Sequence, residues 1–277
     1  KEISEKLLKE FSVTAKFYNP DTFEDLKSKV SKKTKMILVE NPGSNTFEFQ
    51  DLSKIVNLAK KKKIFTFLDN TWGTPLFLKP LKLGFDMSFS SATKYFSGHS
   101  DAMGGSLAVN KKVFKQIMFF YKLSGYRMSA DEAYLIIRGL RTLDTRLNTH
   151  YENTKKVINF LKGQKKVKEI LYPYKPLSKN YKLWKKYYSG ATGLLSIVIK
   201  SKKKSSVMKF VNSLELFGIG YSWGGFESLA LHQEIVERGY RNYLNLKKDE
   251  HIVRLHIGLE DPKDLIDDLK NAMKHIK

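Results

Sequence analysis

The 277-residue sequence has no cysteine, so it has no disulfide, no thiolate nucleophile and no cysteine-based metal site. Its six histidines show no metal-ligand spacing, and we expect no bound metal. No stretch approaches eighteen consecutive apolar residues, and no secretory signal is visible. We therefore expect a cytoplasmic protein that does not associate with membranes.

Arginine is also scarce, with 7 residues against 43 lysines. The net charge of +22 and a pI near 9.8 raise the possibility of nucleic-acid binding. Arginine, however, is the preferred side chain for phosphates and base edges. The lysines fall in short runs, such as residues 60–63 and 202–204, at helix ends or turns. We interpret them as a solvated surface and expect no nucleic-acid partner, with a non-catalytic nucleic-acid-binding protein as the remote alternative.

The first half of the chain alternates strand and helix patterns. Residues 36–40, 64–69, 87–90 and 106–109 are predicted strands, and a helix runs from Asp51 to about Lys62. This order indicates βαβ units and a mainly parallel sheet. Residues 130–162 have a long helical pattern.

The second half has the pattern of an α+β region. It contains a predicted strand at 192–199, a helix from Ser206 to about Phe217, and a last helix opened by Asp261 and Pro262. We predict an α/β protein with a large domain at 1–145 and a smaller C-terminal α+β domain at 146–277.

Two charged residues follow predicted strands, at the edge where open α/β sheets form their sites. Lys94 stands among small and hydroxyl residues ahead of a glycine turn. A lysine held away from water can lose its proton and act as a Schiff-base nucleophile. Asp69 ends the apolar segment 64–68 and could pair with a protonated ring nitrogen. Taken alone, Lys94 is equally well interpreted as a loop lysine, and Asp69 is better interpreted as a turn aspartate. With Lys94 one strand later, the functional interpretation of Asp69 gains support.

Six motifs are spread over nearly the whole chain. They are Glu-Asn-Pro-Gly-Ser at 40–44, Asp-Asn-Thr-Trp at 69–72, Ser-Ala-Thr-Lys-Tyr with Gly-His-Ser-Asp at 91–101, Arg-Gly-Leu-Arg-Thr-Leu at 138–143, Tyr-Ser-Trp-Gly-Gly-Phe-Glu-Ser at 221–228, and Arg-Leu-His-Ile-Gly-Leu-Glu-Asp at 254–261. In this order they resemble the signature of the Cys/Met-metabolism family of pyridoxal-phosphate (PLP) enzymes. The resemblance implies fold type I, which is aminotransferase-like, with PLP (pyridoxal 5'-phosphate) as cofactor.

The resemblance also implies a role for each matching residue. Lys94 forms the Schiff base with PLP and serves as the catalytic residue, Asp69 pairs with the pyridinium, and Ser91 and Thr93 bind the phosphate. Arg254 holds the substrate α-carboxylate, assisted by Ser222 and Trp223, and Asn41 lies near the cofactor oxygen and that carboxylate.

Within the family, the details are most similar to the cystathionine β-lyases. Trp72 and Trp223 match the β-lyases. The γ-lyases and γ-synthases usually carry leucine at the position of Trp223. They also have an Asn-Pro-Thr-Asn-Pro-type loop in place of residues 41–44. The resemblance implies β-elimination of L-cystathionine to homocysteine, pyruvate and ammonia in methionine biosynthesis. A sister reaction (cystathionine γ-lyase, γ-synthase or methionine γ-lyase) is the main alternative, and racemisation is a conceivable side activity.

Members of this family are longer at the amino end, where they carry a phosphate-binding Gly-Met turn, a stacking tyrosine and a Tyr-x-Arg pair that reaches a neighbouring subunit. None of these is found in this sequence. We therefore expect it to be part of a longer chain. The resemblance also implies a homotetramer built from dimers that share active sites.

Overall fold

A computed structural model describes residues 3–173, 180–235 and 244–277. Its first sheet has four strands in the order β1 (Met36–Glu40), β2 (Phe65–Asp69), β3 (Met87–Ser91) and β4 (Gly105–Val109). β1, β2 and β3 are parallel, whereas β4 returns antiparallel to β3. The predicted strands and the mainly parallel arrangement are confirmed.

Short helices connect these parallel strands. α3 (Leu52–Lys62) links β1 to β2, and α4 (Thr74–Phe77) and α5 (Pro80–Leu83) link β2 to β3. The Asp51 side chain accepts the Lys54 amide hydrogen and caps α3, as predicted. The helix ends at Lys63, which adopts the left-handed conformation (φ 55°). α3 buries one apolar face, consisting of Leu52, Ile55, Val56 and Ala59.

The remaining helices of the first 161 residues are α1 (Leu8–Glu10), α2 (Phe23–Lys29), α6 (Lys111–Ser124), α7 (Ala130–Leu140) and α8 (Leu143–Leu161), with helical turns at Ile3–Leu7 and Ala92–Phe96. The long helical pattern predicted over 130–162 is thus two helices, separated at residues 141–142. The predicted domain boundary near residue 145 lies in the first turn of α8, and the division into two domains stays a prediction.

α7 and α8 fix the segment that follows β3. A side chain at Gly139 would lie 2.3 Å from the Phe96 carbonyl oxygen, so only glycine allows this close approach. The guanidinium of Arg146, which is 6% exposed, donates to the carbonyl oxygens of Tyr95 (2.9 Å) and Gly139 (2.8 Å). These contacts hold the turn Ala92–Phe96 in place.

The second sheet has five strands in the order β5 (Val167–Leu171), β6 (Leu194–Lys200), β9 (Glu250–His256), β8 (Leu229–Gln233) and β7 (Gly218–Ile219). Three of its four pairings are antiparallel, and β7 with β8 is parallel. Its helices are α9 (Tyr181–Tyr187), α10 (Lys204–Asn212) and α11 (Pro262–Ala272), followed by a turn at Met273–His275. α10 ends five residues before the predicted end near Phe217. Among the described residues, no helix is both long and apolar enough to span a membrane.

The two sheets share one continuous apolar core. The indole N–H of Trp72, after β2, donates to the Leu194 carbonyl oxygen of β6 at 3.3 Å. The Ser196 hydroxyl of β6 donates to the Asn45 carbonyl oxygen, after β1, at 2.8 Å. These bonds bring the loops at the carboxyl ends of the first sheet against the second sheet.

Lysines are concentrated at the other end of the first sheet. Ten exposed lysines lie within five residues before β1, β2 or β3 or within five residues after β4, at positions 32, 33, 35, 60–63, 82, 111 and 112. Residues 41–51, 70–78 and 91–105, which follow β1, β2 and β3, contain only Lys94. The lysine runs are therefore unevenly placed with respect to the two ends of the strands.

Candidate active site

The carboxyl ends of β1, β2 and β3 meet at one edge of the first sheet, as expected for an open α/β sheet. Glu40 and Asp69 are register partners there, and Ser91 ends β3. Across from this edge lie β9 and residues 221–225 of the second sheet region. The predicted site residues, which are dispersed over more than 200 positions of the sequence, come mostly from these two faces.

Lys94 occupies the turn after β3. Its backbone is not helical (φ −88°, ψ −123°), although its neighbours form a helical turn. Its half-buried Nζ lies 2.8 Å from the Ser222 Oγ and 5.5 Å from the centre of the Trp223 ring. Burial lowers the pKa of Lys94, and the positive charge of Arg254 lowers it further. The structure thus brings Lys94, Ser222, Trp223 and Arg254 together, and their roles stay a prediction.

Asp69 ends β2 with its carboxylate half-buried. Its Oδ1 accepts two bonds from Thr71, from the amide (2.9 Å) and from the hydroxyl (2.5 Å). Burial raises the pKa of Asp69, against the opposing effect of both Thr71 bonds. No lysine or arginine of the described residues forms an ion pair with it, so its charge is available to a cationic ligand.

Thr71 lies within the motif at 69–72, but the resemblance implied no role for it. Its Oγ bridges Asp69 and the backbone amide of Ser91, which donates to it at 2.8 Å. Ser91 itself is partly exposed at the end of β3. The Thr93 hydroxyl already accepts the Gly104 amide at 2.9 Å. Of the two predicted phosphate ligands, it is Thr93 whose hydroxyl is already engaged in hydrogen bonds to Gly104.

Arg254 lies on β9 and is 7% exposed. Its Nη1 donates to the Asn45 Oδ1 at 3.0 Å, and its Nη2 donates to the Tyr221 carbonyl oxygen at 2.5 Å. Both of these bonds go to neutral oxygens, and they fix the orientation of the guanidinium.

Asn41 does not join this group. Its side chain is fully buried, where its amide donates to the Tyr188 hydroxyl at 2.9 Å and its oxygen accepts the Gln50 amide at 2.7 Å. Asn45, four residues further along the same loop, is the asparagine that contacts Arg254. Nothing in the sequence favours Asn45 over Asn41, because the neighbours of Asn45 in space come from β6 and β9.

The arrangement fits PLP. Lys94 offers an amine with a lowered pKa, which favours the uncharged form that reacts with an aldehyde. Asp69 offers a half-buried carboxylate without a cationic partner among the described residues, which suits a protonated ring nitrogen. In the same described ranges no three His, Asp or Glu side chains are grouped to hold a metal ion.

Comparison with known proteins gives a consistent result. The sequence model of the family described as "Cys/Met metabolism PLP-dependent enzyme" matches residues 1–274. The chain is 36% identical over 275 residues to "Cystathionine beta-lyase MetC" of Escherichia coli (strain K12), covering 98% of this chain and 70% of that protein. It is 38% identical over 262 residues to "L-alanine/L-glutamate racemase" of Wolbachia pipientis wMel, covering 94% of this chain and 64% of that protein.

Among solved structures, the chain is similar to cystathionine gamma-lyase from Lactobacillus plantarum complexed with L-serine. The TM-score is 0.91 at 26% identity, and the match covers 99% of this chain and 73% of that one. The chain spans about two thirds of the length of the curated relatives it matches. The α/β fold of type I predicted from the sequence is confirmed.

Proposed function

Because this chain belongs to the Cys/Met-metabolism family of PLP-dependent enzymes, we propose that it is a carbon–sulfur lyase that cleaves L-cystathionine by β-elimination. The products are homocysteine, pyruvate and ammonia, with one water consumed. The observation that carries this proposal is the placement of the Lys94 amine beside Ser222 and Trp223, at hydrogen-bonding distance of the former.

We propose that four residues hold PLP. Lys94 binds its aldehyde carbon, Asp69 pairs with its ring nitrogen, and Ser91 and Thr93 together bind its phosphate. Bound PLP supplies an electron sink for negative charge that develops at the substrate Cα. Asp69 strengthens that sink, because a carboxylate beside the ring nitrogen favours its protonated form.

Arg254 is proposed to bind the α-carboxylate of the amino acid. Two parallel N–H groups of a guanidinium match the two oxygens of a carboxylate, and a lysine cannot reproduce that geometry. Asn45 and the Tyr221 carbonyl oxygen orient the guanidinium, because each accepts one of its bonds.

Lys94 is also the proposed general base. Its lowered pKa increases the fraction of uncharged amine at neutral pH, and this amine takes the Cα proton of the substrate. The Cβ–S bond then breaks and homocysteine leaves with a proton on sulfur. Hydrolysis of the remaining three-carbon unit gives pyruvate and ammonia.

Two other reactions share this first proton transfer. The γ-elimination of a sister enzyme is supported by the similarity to the Lactobacillus plantarum γ-lyase. Racemisation, in which the proton returns to the opposite face of Cα, is supported by the similarity to the Wolbachia racemase. Trp223, in the segment beside Lys94, and the β-lyase relatives favour β-elimination.

The deciding experiment is product analysis with the full-length protein, loaded with PLP and incubated with L-cystathionine. Pyruvate and homocysteine in equal amounts support the proposal. 2-Oxobutyrate with cysteine would instead identify a γ-lyase. Formation of D-alanine from L-alanine, without either oxoacid from cystathionine, would identify a racemase.

Self-association and cellular location are further parts of the proposal. We propose a homotetramer of dimers that share active sites, in the cytoplasm, with methionine biosynthesis as its pathway. The apolar side chains that α6 leaves exposed, Phe119, Phe120 and Leu123, support association with another surface. Light scattering of the full-length protein at several concentrations measures the oligomer.

A further inference from the structure

We infer that His256 is a positioning residue that holds residues 221–225 against Lys94. The expected effect of His256 on catalysis rests on the proposed function, whereas its effect on the position of residues 221–225 does not. His256 lies on β9 two residues after Arg254, so both side chains project from the same face of the strand. Together they bind both ends of the segment that carries Ser222 and Trp223.

The contacts of His256 are with the second half of this segment. Its Nε2 lies 3.1 Å from the Gly224 amide nitrogen and 3.1 Å from the Gly225 carbonyl oxygen. With its proton on Nδ1, the neutral ring accepts the Gly224 N–H through Nε2; with its proton on Nε2, it donates to the Gly225 carbonyl oxygen. In either tautomer, the ring binds the backbone of residues 224–225. Arg254 holds the first half through the Tyr221 carbonyl oxygen.

The segment between these anchors lies directly on the Lys94 backbone. Gly224 adopts φ +86°, and a Cβ there would lie 2.9 Å from the Tyr95 nitrogen and 3.1 Å from the Lys94 Cα. There is no room for the segment to move inward. Its only freedom is outward, away from Lys94, and the bond from Gly224 to His256 opposes that movement.

The surroundings of His256 keep its ring uncharged. It is 1% exposed and packs between His150, at 5.1 Å between ring centres, and Tyr95, at 5.9 Å. Burial and the positive charges of Arg254 and Lys94 lower the pKa of His256 to about 4. An uncharged imidazole is the form that can accept the Gly224 N–H.

The role follows from which groups touch Lys94. Ser222 and Trp223 contact its amine, and the contacts of His256 are with the backbone beside them. Loss of this anchor would let Ser222 and Trp223 leave the amine while Lys94 stays in its turn. Substrate turnover should therefore suffer before cofactor attachment does.

The test compares His256→Gln with His256→Asn. A glutamine amide reaches the position of Nε2, whereas an asparagine amide stops near Nδ1. In His256→Asn, hydrogen exchange of peptides covering 221–226, measured by mass spectrometry on cofactor-free protein, should accelerate about tenfold or more, equivalent to about 1.4 kcal/mol. In His256→Gln, it should stay within about threefold of the unmodified protein.

His150→Asn is the control for loss of a buried ring, because His150 is equally buried and an asparagine amide can keep its Nδ1 bond to the Ile257 carbonyl oxygen. It should lower the melting temperature without accelerating exchange at 221–226. On the loaded enzyme, His256→Asn should reduce kcat/KM about tenfold or more and leave the cofactor absorbance unchanged.

Unchanged exchange at 221–226 in His256→Asn, or equal acceleration in His150→Asn, would overturn the inference. If the unmodified enzyme cleaves no cystathionine, the proposed function fails, and the exchange comparison still decides the role of His256.

Discussion

The amine of Lys94 lies 2.8 Å from the hydroxyl of Ser222, a residue 128 positions further along the chain. Lys94 belongs to the turn after β3, and Ser222 to the segment before β8. One hydrogen bond thus joins the region of the parallel sheet to that of the antiparallel sheet. Any change that separates the two regions also removes the closest polar partner of the amine.

Replacing Lys94 with alanine should abolish elimination, because the variant lacks both the amine that binds the cofactor aldehyde and the proposed general base. Pyruvate release from L-cystathionine is the measurement. Lys60→Ala, at an exposed position on α3, is the control and should keep full activity. Normal turnover by the Lys94 variant would end the assignment of this residue.

Asp69→Asn should weaken PLP binding and slow the reaction. Asparagine retains an oxygen that can accept the Thr71 bonds, so the change isolates the charge. An ionic hydrogen bond contributes about 1.5–3 kcal/mol, so the Kd for PLP should rise by about tenfold or more. Absorbance titration with PLP measures this Kd. Asp144→Asn, on the exposed face of α8, is the control. Equal Kd values for both variants would contradict the pairing of Asp69 with the ring nitrogen.

Arg254→Lys should damage substrate binding and leave the cofactor spectrum intact. A lysine loses the paired donors and can satisfy only one of Asn45 and the Tyr221 carbonyl oxygen with comparable geometry. We expect a loss of about 1.5–3 kcal/mol in kcat/KM on cystathionine. If the variant loses its cofactor and unfolds, Arg254 is a structural residue and the carboxylate binds elsewhere.

The two asparagines of the loop after β1 should behave differently. Asn41→Ala leaves the buried Gln50 amide without its acceptor and removes one of two bonds of the Tyr188 hydroxyl, which still donates to the carbonyl oxygen of residue 41. It should therefore lower the free energy of unfolding by about 1–3 kcal/mol. Asn45→Ala should raise KM for cystathionine with little change in stability, since it removes an orienting contact of Arg254. Denaturant titration and steady-state kinetics on both variants separate the roles, and a reversed pattern would restore Asn41 to the substrate site.

Stability should fall as the pH is lowered from about 6.5 towards 4. Burial lowers the pKa of His150 to about 3 and that of His256 to about 4, whereas both titrate near 6.5 in the unfolded chain. The unfolded chain therefore binds more protons in this range, and the stability present above pH 6.5 is lost as the pH falls. Each histidine contributes a slope of about 1.4 kcal/mol per pH unit.

Denaturant titrations between pH 7 and 5 test this dependence. The slope of the free energy of unfolding against pH should be smaller in His150→Asn than in the unmodified protein, by the contribution of one histidine. Identical slopes would show that His150 is already charged or hydrated in the folded chain.

The sequence predicted the first sheet well because its strands are short apolar runs with a capped helix between them. The direction of β4 was not predictable, since alternation of apolar residues is the same in either direction. Lys94, Asp69 and Arg254 could be identified from the motifs that contain them. Thr71 and His256 stand in the same motifs, but their bonds to Ser91 and to Gly224 form only when separate segments meet. Asn45 lies outside the motifs, and its bond from Arg254 spans 209 positions.

The uneven placement of lysine at the two ends of the first sheet affects how the protein adsorbs to a charged solid surface. The ten lysines before β1, β2 and β3 and after β4 lie at the end of the strands opposite to Lys94. A negatively charged resin attracts that end, because exposed charges of one sign act together over about 8–10 Å at moderate salt. Where this end makes the contact, the loops after β1, β2 and β3 face the liquid. Adsorption to a cation exchanger through these ten lysines would therefore leave Lys94 open to molecules in the flow.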